Sequence, residues 1–391
     1  MPWMEQSAMD QRREFVSLAL LEGSNRRELC RRFGVSPTTG YKWLGRVSEG
    51  MAERSRRPHH SPDRTSEAVE AAIVSVRAAH PAWGARKLRR CLEREGLAVP
   101  SASTVHAILE RQGRIVPPPG GPAALGRFER PGPNQLWQMD YKGRVPLSDG
   151  SWCHPLTVLD DHSRYAVCLK ACDNERTDTV RQALEETFRQ HGLPDAFFLD
   201  NGAPWGGGVP GMWTRLGVWL LKLGVDVIHS RPYHPQSRGK NERFHRTLKA
   251  EVFAFRRFDS LARVQQAFDD WRPVYNGVRP HQALNLQVPA SRYRPSPRAM
   301  PDHLPSPDYP PGDIVRKVSD KAVISFKNRL WYIPKAFRGE RVALRPTDQD
   351  RTYGVFFGAR RITTIDLNQP QGQNGETVHH VSEHPSTMSP D

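Results

Sequence analysis

Cysteine is scarce in this sequence and poorly spaced for structural chemistry. Its five residues (Cys30, Cys91, Cys153, Cys168 and Cys172) are odd in number and include no C-x-x-C pair, which argues against a disulfide framework and a zinc finger alike. The His59-His60 and His379-His380 pairs also lack cysteine companions. Long apolar runs are missing too, since none approaches the ~18 residues of a membrane-spanning helix. The opening MPWMEQSAMDQRREF puts charges where a secretory leader keeps its apolar core, so a cytoplasmic location is expected. The third shortage is of acid: 42 Asp and Glu stand against 57 Lys and Arg, a formal net charge of +15 at pH 7. That imbalance favours an anionic partner, and nucleic acid ahead of a membrane surface, because no amphipathic anchor is found.

The chain has 391 residues, enough for several units of roughly 100 to 200 residues each. The first, expected over residues 1–50, is helical. Phe15, Leu18 and Ala19 have helical spacing, and Asn25 with Glu28 forms a capping box for a second helix that Gly34 ends. Ser36-Pro37 then supplies an N-cap and a first-turn proline for a third helix. Helix, Gly-containing turn, helix is the helix-turn-helix signature, whose second member offers its first residues to base edges in a DNA major groove. Those residues are Thr38, Thr39 and Lys42. Gly40, inside the same helix, counts against it by about 1 kcal/mol relative to Ala. A second helical DNA-binding unit is expected over 62–115, marked by Val69, Ile73 and Val76, by Leu88, Cys91 and Leu92, and by Val105, Ile108 and Leu109. Two small readers in tandem multiply affinity through effective concentration.

Residues 116–133, VPPPGGPAALGRFERPGP, are too rich in Pro and Gly for a helix or central strand and read as a linker. From 134 to 300 the strand-like runs LWQMDYKG, HPLTVLD, YAVCLKAC, DAFFLD and VDVIHS are followed or separated by helical segments around 179–190, 212–223, 237–255 and 261–276. Strands in a meander, then alternating with helices, predict a mixed α/β layer with a partly parallel sheet. Residues 308–366 hold short β-like runs, KAVISF, RLWYIP and ERVALRP, and predict a small β-barrel; the polar tail 367–391 reads as disordered.

Within the basic run HPQSRGKNERFHRTLK, a lone acid, Glu242, stands among Arg238, Lys240, Arg243, Arg246 and Lys249. The apolar stripe Phe244, Leu248 and Val252 turns Glu242 away from the core. Two further acids are conspicuous. Alternation in LWQMDYKG puts Trp137, Met139 and Tyr141 on one strand face and Asp140 on the other, and Asp is depleted in strands and costly to bury unpaired. Asp200 ends DAFFLD at the carboxyl end of a strand, where open α/β sheets collect their active groups. Together Asp140, Asp200 and Glu242 suggest a metal site holding two Mg²⁺ ions, about 3.5 to 4 Å apart, for in-line phosphodiester displacement. Mn²⁺ is the alternative ion. Arg246 and Lys249, one and two turns beyond Glu242, are placed to hold phosphates, and Lys240 is a further candidate DNA contact. Asp160 and Asp161, in TVLDDHSRY, read instead as turn residues. Glu251 is a competitor on the Glu242 helix, and His162, His234 and His245 are candidate bases that two-metal chemistry does not require.

Asp140 in WQMDYKG, Asp200 in LDNGAPW, Glu242 in HPQSRGKNERFHRTLK and the later YNGVRPHQAL resemble the DDE integrase catalytic core of bacterial insertion-sequence transposases. The resemblance runs from the first helix-turn-helix to about Pro346, and includes HPAWGARKL at the entry of the second helical unit. It implies a ribonuclease H-like central fold with Asp140, Asp200 and Glu242 as metal ligands, and Arg246 and Lys249 at the DNA near the cleavage point. It further implies hydrolysis at a transposon end, attack of the freed 3′-hydroxyl on target DNA, and a homo-oligomeric complex that holds two ends. The 41 residues between Asp200 and Glu242 exceed the spacing common in that group. The excess is assigned to the Gly-rich WGGGVPGMW, a loop that adds reach at little entropic cost. Two other readings remain: a catalytically inactive helix-turn-helix repressor of its own element, and a nuclease acting on RNA–DNA hybrids.

Overall fold

The structure is a computed structural model and describes residues 7–53, 64–115, 129–206, 212–229 and 239–369. Most of the expected linker, the middle of WGGGVPGMW, the segment carrying His234 and Arg238, and nearly all of the expected tail lie outside the described residues. The chain divides into two compact units, Met1–Arg64 and Thr65–Asp391.

The first unit holds helices α1 (Ala8–Ala19), α2 (Arg26–Arg32) and α3 (Pro37–Leu44). Their ends follow from side-chain caps. Ser7, Asn25 and Ser36 each accept a hydrogen bond from a backbone N–H three residues on, satisfying donors that the first helical turn leaves unpaired. Phe15, Val16, Ala19, Cys30 and Trp43 form the core. Gly40 has a packing role there. A Cβ at this position would stand 2.6 Å from Cys30 Sγ and 2.8 Å from Phe15 Cζ, so its low helix propensity is the cost of bringing α3 close to α1 and α2. Gly40→Ala should therefore destabilise this unit by about 1–3 kcal/mol through overpacking, although alanine is the better helix former. The check is the urea-unfolding midpoint, which an accommodated methyl would leave unchanged or raise.

In the second unit, α4 (Glu67–Ala79), α5 (Ala85–Arg94) and α6 (Ala102–Arg111) pack around Ile73, Trp83, Leu88, Leu92, Val105, Ile108 and Leu109. Val274 packs against this cluster, and the Val278 carbonyl accepts from Cys91 Sγ (3.8 Å) and Arg94 Nη1 (3.4 Å). These helices thus rest on the central domain through residues 274–278.

The central sheet is built from β1 (Trp137–Tyr141), β2 (Val145–Pro146), β3 (Trp152–Asp160), β4 (Ala166–Cys172), β5 (Ala196–Leu199) and β6 (Asp226–His229). Strands β1 to β4 pair antiparallel, and β1, β5 and β6 pair parallel, in the order β2-β3-β1-β5-β6 with β4 beside β3. The sheet is therefore mixed. Residue alternation sorts its two faces. Trp137, Met139, Leu156, Val158, Phe197 and Leu199 share a core with α7 (Thr177–His191) and α8 (Arg215–Lys222). On the other face, Leu159, Ala166 and Leu169 meet Phe244, Leu248 and Val252 of one helical segment and Val264, Phe268 and Trp271 of the next.

Those two segments change pitch part-way, where the sequence suggested single helices. Helix α9 (Gly239–Leu248) continues as a π turn over Lys249–Phe253, and α10 (Leu261–Pro273) as a π turn over Val274–Val278.

At the carboxyl side, β7 (Ile314–Lys317), β10 (Arg341–Pro346), β11 (Thr352–Phe357) and β12 (Arg360–Asp366) form a four-stranded sheet in the order β12-β11-β10-β7. Strands β8 (Val323–Phe326) and β9 (Arg329–Tyr332) make a separate hairpin, turned by Lys327 and Asn328 at positive φ. The expected barrel is thus corrected to an open sheet and a hairpin. The reason is that the shared core, including Trp331, Phe337, Val342, Val355 and Ile362, is closed by packing, with Val218 of α8 among its residues, rather than by a ladder joining the two sheets. Among the described residues no helix is long and apolar enough to cross a membrane.

Candidate active site

Asp140 lies on β1, and Asp200 directly follows β5, its parallel neighbour. Strands β1 and β5 run parallel with Trp137 level with Phe197 and Gln138 level with Phe198. In this pairing Asp140 lies two residues beyond the last paired position of β1, and Asp200 two residues beyond that of β5, immediately after the strand ends. Because Trp137 and Met139 pack into the α7–α8 core, alternation turns Asp140 to the opposite face of the sheet, where α9 packs. Both acids are only half-buried. The loop after β5 is held by local bonds: Gly202 N–H donates to Asp200 Oδ1 (2.9 Å), and Trp205 stacks on Tyr141 with ring centroids 5.3 Å apart.

Helix α9 brings Glu242 to the same face of the sheet. Asn241, Phe244 and Leu248 are buried, while Glu242, Arg246 and Lys249 are exposed. Burying an aromatic or aliphatic side chain of this size stabilises by about 1.5–3 kcal/mol, so Phe244 and Leu248 set the rotation of the helix and with it the flank that carries Glu242. Near Asp140 the two elements are joined by hydrogen bonds. Thr157, paired with Asp140 across the β1–β3 ladder, donates its hydroxyl to the Asp140 carbonyl (2.9 Å), and its Oγ1 lies 2.8 Å from Nε2 of His245 on α9. Burial pushes the His245 imidazole down to about 4, and Lys142 adds to the fall, so the ring is neutral at pH 7. Sequence reading offered His245 only as a base; the threonine that meets it gave no signal in one dimension.

Among the described residues no group of three His, Cys, Asp or Glu side chains is gathered closely enough to hold a metal ion. What the chain offers is donors of the right kind: one carboxylate on β1, one just after β5 and a third on α9. Such hard oxygens suit Mg²⁺ or Mn²⁺ and do not suit a thiophilic ion.

The remaining candidates have distinct surroundings. Lys240 is not displayed to solvent; it forms an ion pair with the fully buried Asp161, which also accepts from Gln138 Nε2 (2.7 Å) and from Arg130 N–H (2.8 Å). Burial pushes the Lys240 ammonium down to about 8, a fall that the Asp161 carboxylate limits. Asp160 accepts from Asn134 N–H (2.7 Å) and Ser163 N–H (2.7 Å), as a turn residue does. Both acids of TVLDDHSRY thus have structural partners. Glu251 sits in the first π turn and accepts from Arg279 Nε (2.8 Å) and Trp271 Nε1 (3.0 Å). In α3, Thr39 shares a hydrogen bond with the capping Ser36 hydroxyl (2.9 Å), while Thr38 and Lys42 are exposed. Arg12, Lys42 and Arg46 all lie over the Trp43 ring, between 4.1 and 5.3 Å from its centroid.

Comparison with known proteins agrees with this layout. Residues 130–235 and 223–289 match two models of an integrase core domain, and 313–373 match the C-terminal domain of IS481 family transposases. Residues 11–59 match a helix-turn-helix domain, and 39–109 a homeodomain-like domain. An uncharacterized 31.7 kDa protein of insertion element IS407 from Burkholderia multivorans is 28% identical over 241 residues, covering 59% of this chain and 82% of that protein. A 39.2 kDa uncharacterized protein of insertion element IS476 from Xanthomonas euvesicatoria is 24% identical over 246 residues, covering 62% and 69%. Among solved structures, a chain of the simian T-cell lymphotropic virus intasome in complex with a PP2A regulatory subunit aligns over 73% of this chain and 96% of its own length, with 15% identity and a TM-score of 0.37. The chain is thus a homologue of insertion-element proteins that joins helix-turn-helix modules to an integrase core and an IS481-type transposase C-terminal domain.

Proposed function

We propose that this protein is a DNA transposase that cleaves the ends of an insertion sequence and joins them to target DNA, with Asp140, Asp200 and Glu242 as its metal ligands. The observation that supports the reading is the parallel pairing of β1 with β5, two residues before Asp140 and Asp200, in a sheet whose other face is packed by the helix that bears Glu242. Bound there, a pair of divalent ions, Mg²⁺ or Mn²⁺, supplies Lewis-acid stabilisation to the attacking and leaving oxygens. The central domain is read as ribonuclease H-like, with the boundaries 1–50, 62–115, 134–300 and 308–366 as working limits for the four folded parts.

In the first step the oxygen of water bonds to the scissile phosphorus and loses a proton, and the bond to the 3′ oxygen breaks, that oxygen taking up a proton to become a 3′-hydroxyl. In the second, that hydroxyl oxygen bonds to a target phosphorus and gives up its proton, while the target's own 3′ oxygen leaves and takes up a proton in turn. The protein's work is to fix the strand in line. Arg246 and Lys249, exposed on the Glu242 flank, hold the phosphates beside the acids. Lys240 acts through Asp161, anchoring the start of α9. Thr38, Thr39 and Lys42 of α3 contact the transposon end, with Thr39 also serving the helix cap. Insertion requires two ends at one target, which calls for more than one copy of the chain.

The phosphate role has its own test. Arg246→Ala and Lys249→Ala should each reduce the slope of log affinity against log salt by about one unit per lost contact. A filter-binding series on an end duplex gives that slope, and an unchanged value would remove the residue from the interface.

A further inference from the structure

The geometry points to Thr157 and His245 as positioning residues that set where α9, and therefore Glu242, stands relative to Asp140. The inference rests on the metal-ligand reading above and deepens it. Thr157 has one hydroxyl proton, and it is given to the Asp140 carbonyl. Its Oγ1 can then only accept from the imidazole, so His245 must carry its proton on Nε2. The result is a directed chain, His245 Nε2–H to Thr157 Oγ1–H to the Asp140 carbonyl, that links the helix bearing one acid to the strand residue bearing another. Thr157 is fully buried, where water cannot substitute for a missing partner and an unpaired hydroxyl or ring N–H is costly. No apolar contact would serve equally well, because hydrophobic packing fixes the rotation of α9 but is tolerant of sliding along its axis. Two hydrogen bonds ending on one carbonyl are not. His245 lies one turn from Glu242, so a shift at the imidazole is passed almost undiminished to the carboxylate.

Four variants of the full chain separate this from a general packing role. Thr157→Val keeps the shape and loses the hydroxyl, while Thr157→Ser keeps the hydroxyl. His245→Leu removes the donor, while His245→Gln places an amide N–H close to the position of Nε2. Mn²⁺ binding is read from the loss of the free-ion paramagnetic resonance signal, alongside single-turnover cleavage and binding of an end duplex.

Thr157→Val and His245→Leu should weaken Mn²⁺ binding and slow cleavage roughly 10-fold or more, the range seen when partners of metal ligands are removed, with end-duplex binding unchanged. Thr157→Ser and His245→Gln should recover most of the loss, and Thr157→Val combined with His245→Leu should be no worse than either alone. Parental Mn²⁺ binding and cleavage in Thr157→Val and His245→Leu would overturn the proposal, as would equal loss in Ser and Gln variants. Asp140→Asn is the companion control. If it retains Mn²⁺ binding, the metal-ligand reading itself fails; if it loses binding while Thr157→Val does not, only the positioning role fails.

Discussion

Asp140→Asn or Asp200→Asn is expected to lower end cleavage and strand transfer by about 10³-fold or more, while binding of the end duplex stays at the parental level. Losing one ligand forfeits several kcal/mol of transition-state charge stabilisation, and about 1.36 kcal/mol corresponds to each tenfold in rate. Asparagine keeps the size of aspartate and both positions are half-buried, so folding should be spared. Binding should survive because the helix-turn-helix unit is separate from the sheet. Glu242→Gln should behave in the same way. An inactive repressor would show no Mg²⁺-dependent cleavage to lose, so gel assays of the parent and these variants on a labelled end decide between the two readings. Undiminished Mg²⁺-dependent cleavage in all three variants would show that the acids are not the ligands.

Arg279→Met is expected to do the reverse, destabilising the second unit by about 3–5 kcal/mol, the usual cost of leaving a buried charge without its partner. Arg279 and Glu251 are each only 9% exposed and meet at 2.8 Å. Glu251 belongs to the π turn after α9, and Arg279 follows the π turn after α10, with its N–H bonded to the Val274 carbonyl (2.8 Å). The pair therefore ties two locally widened helix ends, next to the residues on which α5 rests. It gives Arg279 of YNGVRPHQAL and Glu251 a structural partnership with each other. Differential scanning calorimetry should show a clear fall in the transition of this unit. A replacement of both partners by apolar residues should recover much of it, since apolar substitutes for buried pairs are often neutral. An unchanged transition in Arg279→Met would mean that the pair is solvated.

Strand faces were the most legible feature. In LWQMDYKG the alternation of large apolar residues with Gln138 and Asp140 is imposed by the pleat, and the same sorting is visible in the two cores. The caps at Asn25 and Ser36 were legible for a similar reason, because the chemistry lies within three residues of the helix start. Features that depend on distant partners were not. Lys240 read as one more base in a basic run, yet its partner Asp161 lies 79 residues away. The π turns leave no residue-type signature, since an i→i+5 bond uses the same backbone groups as an α-helix. Strand-like runs in 308–366 could not distinguish a closed barrel from a sheet and hairpin, because closure is a property of which edges pair. As for the site, the acids could be singled out by type and context, but the tether through Thr157 and His245 exists only once β3 and α9 are folded together.

The central claim is that Asp140, Asp200 and Glu242 share bound cations, and anomalous diffraction from crystals of the full chain bound to an end duplex in Mn²⁺ tests it most directly. A Mn²⁺ peak between the Asp140 and Asp200 carboxylates, with Glu242 completing its ligands, is the expected result. A peak held by other residues, or none near these two strand ends at saturating Mn²⁺, would contradict it.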